Sequence, residues 1–126
     1  FMVQISDSEL ELLKIIWENE GRILFSELVS ILHQRGSNWK NNTILTFLSR
    51  LTEKNILKVN KIGRRNEYVA KLTEKEYLEN QTDDFIHNVY EGDVKGLIST
   101  LVDKNLISSK EIDELKDYWK HKKDNL

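Results

Sequence analysis

The first part of the chain carries apolar residues at helical spacing. A capping box at Ser6–Glu9, followed by Leu10, Leu13 and Trp17, predicts a first helix. In such a box the serine hydroxyl accepts from an amide of the first turn, and the glutamate carboxylate accepts from the serine amide. Gly21 is expected to end this helix, because glycine readily adopts the left-handed conformation that closes a helix.

Two more helices are predicted before residue 55. One begins after a cap at Ser26 and breaks at residues 36–38, where Gly-Ser-Asn interrupts the apolar spacing. The other begins after a cap at Asn41 or Asn42 and runs to about Lys54.

Two β-like runs follow the third helix. They cover Ile56–Ile62 and Glu67–Leu72, and Gly63–Asn66 between them is predicted to be the tip of a hairpin. Three short helices followed by a hairpin is the order of a winged helix-turn-helix. We therefore predict a mostly α fold, with a winged helix-turn-helix DNA-binding domain and a small two-stranded wing over residues 1–72, followed by a helical dimerisation domain over residues 73–126.

The segment after the hairpin is predicted to be helical throughout. Capping boxes at Thr73–Glu76 and Ser108–Glu111 open two of its helices, and an apolar stripe lies between them. The apolar residues predicted to line a dimer interface are Phe85, Val89, Val94, Leu97, Ile98, Leu101, Ile112, Leu115 and Trp119. Short amphipathic helices have little to pack on by themselves, so we favour burial against a second copy of the chain. Folding back onto the N-terminal domain is the alternative.

Composition adds a charge asymmetry that the net charge conceals. The 126 residues carry a formal charge of −2, but residues 35–71 hold nine basic and two acidic side chains. Residues 77–126 hold seven basic and eleven acidic ones. One segment is therefore suited to a polyanion while the rest keeps the chain soluble. Chance clustering on a solvated surface is the alternative.

The sequence does not indicate catalysis or metal binding. The chain has no cysteine, which excludes disulfides, thiolate metal sites and a thiol nucleophile. Its histidines, His33, His87 and His121, lack metal-ligand spacing, and the paired carboxylates Asp83 and Asp84 point in different directions on a helix. We predict no catalytic residue, no metal and no cofactor. No apolar run approaches the ~20 residues that span a bilayer, and no signal peptide is visible, so the predicted location is the cytoplasm.

The third helix has two chemically distinct faces. Ile44, Phe47, Leu48 and Leu51 share one face. The opposite face consists mainly of short hydrogen-bonding side chains, with Leu45 at its edge: Asn42, Thr43, Thr46, Ser49 and Arg50. No acid occurs from residue 39 to residue 52. Such a face can approach the phosphates and base edges of a DNA major groove, whereas an ordinary solvated face usually mixes Glu and Lys.

Each of these residues receives a predicted role in DNA binding. Asn42 is suited to an adenine edge, whereas Leu45 and the methyl groups of Thr43 and Thr46 are suited to a thymine methyl. The basic hairpin tip is suited to the DNA backbone or the minor groove, although charges on a hairpin can also prevent aggregation. The complete predicted set is Lys40, Asn41, Asn42, Thr43, Leu45, Thr46, Arg50, Lys61, Arg64 and Arg65.

Four stretches of the chain together form a specific pattern: ELELLKIIW, NWKNNTILTFLSRLTEKNIL, GRRNEYVAKL and FIHNVYEGDVKGLISTLVDKNLISSKEIDEL. They resemble the penicillinase repressor family, the BlaI/MecI/CopY group of winged-helix repressors, and the similarity runs from about Ile5 to Lys120. The resemblance implies a homodimer that binds a palindromic operator in double-stranded DNA and represses a β-lactamase or penicillin-binding-protein operon. In the β-lactam-responsive branch, a membrane sensor-protease system leads to cleavage within the dimerisation segment. The matching bond here joins Thr100 and Leu101.

The chain departs from the family pattern in three respects. Where familiar members carry proline, lysine and a central arginine in the third helix, this chain has Asn41, Asn42 and Leu45, which predicts a different operator or weaker binding. The family is cut between asparagine and phenylalanine rather than between threonine and leucine, and the copper-sensing branch uses a cysteine-rich tail that is absent here. Two alternatives therefore stay open: a winged-helix module that docks a protein, and a repressor of another operon gated by another signal, such as a ligand.

Overall fold

The structure is a computed structural model that describes residues 4–124. Its helices and strands, in chain order, are α1 (Asp7–Glu18), β1 (Arg22–Leu24), α2 (Phe25–Gln34), α3 (Asn41–Glu53), β2 (Leu57–Ile62), β3 (Arg65–Ala70), α4 (Glu74–Asn88), α5 (Val94–Asp103) and α6 (Ser109–Asp124). This order confirms the predicted mostly α winged helix-turn-helix, with α2 and α3 as the helix-turn-helix and β2–β3 as the wing.

The wing belongs to a three-stranded antiparallel sheet with the strand order β1-β3-β2. β2 and β3 pair from Leu57 with Ala70 to Ile62 with Arg65, so only Gly63 and Arg64 form the turn. Gly63 has a φ of 63°, and a type II′ hairpin turn places glycine at this first central position. The turn is therefore tighter than the predicted four-residue tip.

The third strand of the sheet was not predicted from the hydrophobic pattern. β1 contains only three residues, which is too short for an alternating pattern to be recognised. It is held by antiparallel pairing with β3, in which Ile23 lies opposite Tyr68, and both side chains are buried.

All three predicted capping boxes are present. In each box the first residue's side-chain oxygen accepts from the backbone amide three residues later, at 3.1 Å, and the glutamate accepts from the backbone amide of the first residue, at 2.9–3.0 Å. The boxes are Ser6–Glu9, Thr73–Glu76 and Ser108–Glu111. These bonds to Glu76 and Glu111 lower the pKa of both carboxyl groups.

The predicted caps of α2 and α3 were wrong. The N-cap of α2 is Leu24, whose backbone amide donates to Glu27 Oε1 at 3.0 Å. The N-cap of α3 is Lys40, which has no side-chain capping bond. The Trp39 ring, just before this cap, packs edge-on against Phe47 at 5.1 Å between centroids, and α3 begins at Asn41.

A single hydrophobic core lies within the first part of the chain. Its buried members come from α1, α2, α3, the three strands of the sheet and the residue just before β2. They are Leu12, Leu13, Ile15, Ile16, Ile23, Leu28, Leu32, Ile44, Leu48, Leu51, Ile56, Leu57 and Tyr68. The start of α4 is attached to this domain, because Trp17 Nε1 donates to the carbonyl of Leu72 at 3.0 Å and the Trp17 ring contacts Tyr77.

The chain divides into two compact units, one ending at Gln81 and the other beginning at Thr82. The second unit contains the end of α4 and the whole of α5 and α6, and none of its described residues is buried. The proposed domain boundary between residues 72 and 73 stays a prediction.

One buried charge connects two helices of the first unit. Glu9 is 2% exposed and accepts from Lys54 Nζ at 2.8 and 3.0 Å, so the start of α1 is tied to the end of α3. Burial alone raises the pKa of Glu9, but the hydrogen bonds from Lys54 and Ser6 outweigh it, and the pKa is lowered overall.

Candidate nucleic-acid interface

The outer face of α3 presents the side chains that the sequence pattern assigned to it. Ile44, Leu48 and Leu51 are fully buried on the inner face. The exposed residues of this helix are Asn41, Asn42, Leu45, Thr46, Ser49, Arg50 and Glu53, and Thr43 is half-buried. The helix therefore turns a continuous surface outward that the fold does not need for its core.

The hydroxyl of Thr46 is engaged within the helix. Its Oγ1 donates to the backbone carbonyl of Asn42 at 2.9 Å. The hydroxyl proton is thereby used, so toward an outside partner this oxygen can only accept a hydrogen bond. The methyl group of Thr46 takes no part in this bond.

The first turn of α3 is chemically open to an anion. Lys40 caps the helix with its backbone alone, and the first turn contains no acidic residue. The amides at the start of a helix and the helix dipole both favour a negative charge there. Lys40 and Asn41 are exposed at this end, so a phosphate oxygen would find both backbone and side-chain donors.

The wing tip approaches the exposed face of α3. Arg64 and Arg65 line a cavity of about 390 Å³ together with Leu45 of α3 and the segment Leu24–Ser26. The fold thus brings two of the three predicted wing residues next to α3. Lys61 lies farther back on β2, opposite Asn66, and is exposed.

The basic side chains between positions 35 and 71 fall into two groups, according to whether they make a hydrogen bond or an ion pair. Three are engaged by neighbours: Arg35 pairs with Glu18 at 2.8 Å, Lys54 with Glu9, and Lys71 donates to Asn55. In the described part of the chain, the remaining six side chains make no hydrogen bond or ion pair: Lys40, Arg50, Lys58, Lys61, Arg64 and Arg65. The unengaged positive charge is therefore concentrated on α3 and the wing, where the predicted DNA-binding residues lie.

The predicted dimerisation residues divide by burial. Six are exposed in the single chain: Phe85, Val89, Val94, Ile98, Leu115 and Trp119. Three are partly buried: Leu97, Leu101 and Ile112. Val102, Leu106 and Tyr118, which are outside the predicted set, are also large, apolar or aromatic and exposed.

The bond between Thr100 and Leu101 lies inside α5. Both residues are partly buried, and Thr100 Oγ1 donates to the carbonyl of Gly96 at 2.9 Å. A protease acting on this bond would meet a hydrogen-bonded helix and would need α5 to open locally.

Residues 4–124 contain neither a metal-binding cluster nor a membrane-spanning helix. In that range no three His, Asp or Glu side chains are grouped closely enough to hold a metal ion. No helix of the described chain combines the length and the apolar character needed to cross a membrane.

The fold and the exposed α3–wing surface define a winged helix-turn-helix protein. The family model described as penicillinase repressor matches residues 5–121, and the chain belongs to this family, which consists of transcriptional repressors rather than enzymes.

Individual relatives agree with this assignment. The chain is 34% identical to the penicillinase repressor of Bacillus licheniformis, over 89% of this chain and 86% of that protein. It is 29% identical to the methicillin resistance regulatory protein MecI of Mammaliicoccus sciuri, over 90% and 91% of the two chains. Among solved structures, it is similar to monomeric B. licheniformis BlaI in complex with the blaP half-operator, with 38% identity and a TM-score of 0.51 over 61% of this chain and 92% of that one.

Proposed function

We propose that this protein is a homodimeric transcriptional repressor that binds a palindromic operator in double-stranded DNA and controls a β-lactam-resistance operon. The observation that carries the proposal is the outer surface of α3 and the wing, which combines a helix face without acid from Asn41 to Thr52 with unengaged basic side chains on α3 and the wing. The similarity to BlaI bound to a half-operator supports the same use of this surface.

Roles on this surface follow from side-chain chemistry. Asn42, Thr43, Leu45 and Thr46 contact base edges, because they are short or apolar and lie near the N-terminal half of α3. The long cations hold phosphates: Lys40 and Arg50 on α3, and Lys61, Arg64 and Arg65 on the wing. Asn41, in the first turn, adds a phosphate or base contact through its amide.

The second unit joins two copies of the chain. Val94, Ile98 and Val102 are each more than two-fifths exposed along one face of α5, and an aqueous monomer gains nothing from exposing them. A second copy covers this face, and the two linked domains then bind the two halves of a palindrome with greater avidity than either domain alone.

We further propose that repression is relieved in the cytoplasm by cleavage between Thr100 and Leu101, at the end of a membrane sensor-protease pathway. Cleavage in α5 would remove the helical segment that links the copies, and the separated domains would lose the avidity of the pair. The test is to expose producing cells to a β-lactam and measure the mass of the protein's fragments. A fragment ending at Thr100 supports the proposal, whereas an intact chain during full induction of the operon contradicts it.

DNA binding is tested by a mobility shift with DNA from the upstream region of the protein's own gene, with a salt titration and competitor DNA. A dimer contacting about 6–10 phosphates is expected to lose roughly 10³–10⁵-fold in affinity between about 50 and 200 mM salt. A specific complex with two chains per site supports the repressor. No preference over competitor at low salt, or a weak dependence on salt, would contradict it and favour a protein-docking module.

A further inference from the structure

The outward stripe of α3 is more apolar than a phosphate-binding surface requires. Asn42, Leu45, Thr46 and Ser49 follow one another at helical spacing on the exposed side. Leu45 is 37% exposed, while the neighbouring Ile44 and Leu48 already fill the core completely. Leu45 is therefore not held at this place by the needs of the core.

Thr46 adds a second apolar group beside Leu45. Because its hydroxyl proton is bonded to the Asn42 carbonyl, the group that Thr46 offers to a neighbour consists of an accepting oxygen and a methyl. This bond also fixes the side-chain rotamer, so the methyl does not need to be ordered on binding.

The surroundings of Leu45 are positively charged. The side chain shares its cavity with Arg64 and Arg65 of the wing, and the one acidic residue of α3, Glu53, is the last residue of the helix. A duplex seated on these cations brings base edges, rather than water, against the stripe. The apolar group that a major groove offers there is the C5 methyl of thymine.

We propose that Leu45 and the Thr46 methyl form one apolar contact that reads the C5 methyl of a pyrimidine in each operator half-site. This inference rests on the proposed DNA-binding function and adds the base chemistry that the α3 face selects. Leu45 and Thr46 thereby distinguish thymine from cytosine by the C5 methyl group rather than by a pattern of hydrogen-bond donors and acceptors. A 5-methylcytosine offers the same methyl group.

The test uses the purified full-length protein and the duplex that it selects from a random pool. Each thymine of the selected half-site is replaced in turn by deoxyuridine, which pairs identically with adenine and lacks only the C5 methyl. At one position of the half-site we expect the replacement to lower the affinity roughly fourfold when it is made in one half-site and about fifteenfold when it is made in both. These values correspond to the burial of one methyl-sized group per half-site.

Protein variants then assign that loss to residues. In Leu45→Ala the ratio of affinities for the thymine and uracil duplexes is expected to fall close to one, as a double-mutant cycle requires for a direct contact. Thr46→Val keeps a methyl and loses the hydroxyl, so it keeps the sensitivity to uracil. Thr46→Ser keeps the hydroxyl and loses the methyl, so its sensitivity falls.

Each result decides the proposal. Selected half-sites without thymine, no uracil-sensitive position, or an unchanged ratio in Leu45→Ala would overturn the methyl contact while leaving the repressor intact. A selection that enriches no sequence would overturn both. The thermal unfolding midpoint and the low-salt binding of random DNA by Leu45→Ala show whether the variant is folded, and the partial exposure of Leu45 predicts that both are retained.

Discussion

The two units of this chain use similar amphipathic helices in opposite ways. In the unit that ends at Gln81, the apolar faces of α1, α2 and α3 meet one another and the sheet, and the core side chains are almost completely buried. In the unit from Thr82 onward, α5 and α6 have equally clear apolar faces, yet no described residue is buried. The same sequence pattern thus completes a domain in one half and leaves an exposed apolar surface in the other.

The largest effect is expected from a charge placed on the exposed face of α5. Ile98→Asp would bury a carboxylate in the proposed dimer interface, so we expect the dimer to dissociate and the affinity for a full operator to fall about 10²–10⁴-fold through loss of avidity. Sedimentation and a mobility shift measure the two effects.

The neighbouring Ser99→Asp is the matched control, because it adds the same charge at an exposed polar position of the same helix. It should stay dimeric. Binding of Ile98→Asp to a half-site duplex should equal that of the parent protein, since α3 and the wing are unchanged. A stable dimer of the Ile98→Asp variant would place the interface elsewhere.

Substitutions in the two units are expected to destabilise the protein with different dependences on protein concentration. Leu48 is fully buried in the first unit, so Leu48→Ala is expected to lower the free energy of unfolding by about 2–5 kcal/mol. Because that core lies within one chain, the loss should be the same at low and high protein concentration. Leu115→Ala, on the exposed face of α6, should instead destabilise the protein by an amount that is negligible at concentrations too low for a dimer and grows to a plateau as concentration rises. Equal behaviour of the two variants in denaturant unfolding would contradict the distinction.

The same contrast explains how much the sequence could predict. The three capping boxes and the two faces of α3 depend on residues within a few positions of one another, and both were predicted correctly. The strand β1 depends on a partner elsewhere in the chain, namely β3. No local pattern contains that information.

The site shows the same limit. The exposed residues of α3 followed from helical spacing alone, whereas the position of Arg64 and Arg65 beside Leu45 follows from how the wing folds back. The pairing of Glu9 with Lys54 joins residues 45 positions apart in the chain and removes one cation from the basic segment.

That pair provides an acid-dependent test of the first unit. Because the folded pKa of Glu9 is lowered, its contribution to stability is fully present above the unfolded value near 4.5 and is lost as the pH falls through the lower, folded pKa. Glu9→Gln is expected to cost about 1.5–3 kcal/mol at neutral pH and to flatten the fall of stability in acid. Denaturant unfolding from pH 7 down to about pH 3 measures both.

Glu11→Gln is the control for this experiment, since Glu11 is exposed on the same helix. It should retain the neutral-pH stability and the acid dependence of the parent. A Glu9→Gln variant that loses stability in acid as steeply as the parent would show that other carboxyl groups dominate.

The smallest effect is expected from a phosphate contact of the first unit. Arg50→Ala removes one exposed cation from α3, so we expect about a tenfold loss of affinity for a half-site duplex, a salt slope smaller by about 1, and no change in sequence preference. Thr46→Ala, one turn earlier on the same face, should instead change the ranking of operator sequences and leave the salt slope unchanged. Competition between selected and random duplexes across a salt titration distinguishes the two. A change of sequence preference in Arg50→Ala with intact nonspecific affinity would show that Arg50 reads bases and that the proposed division of roles along α3 is wrong.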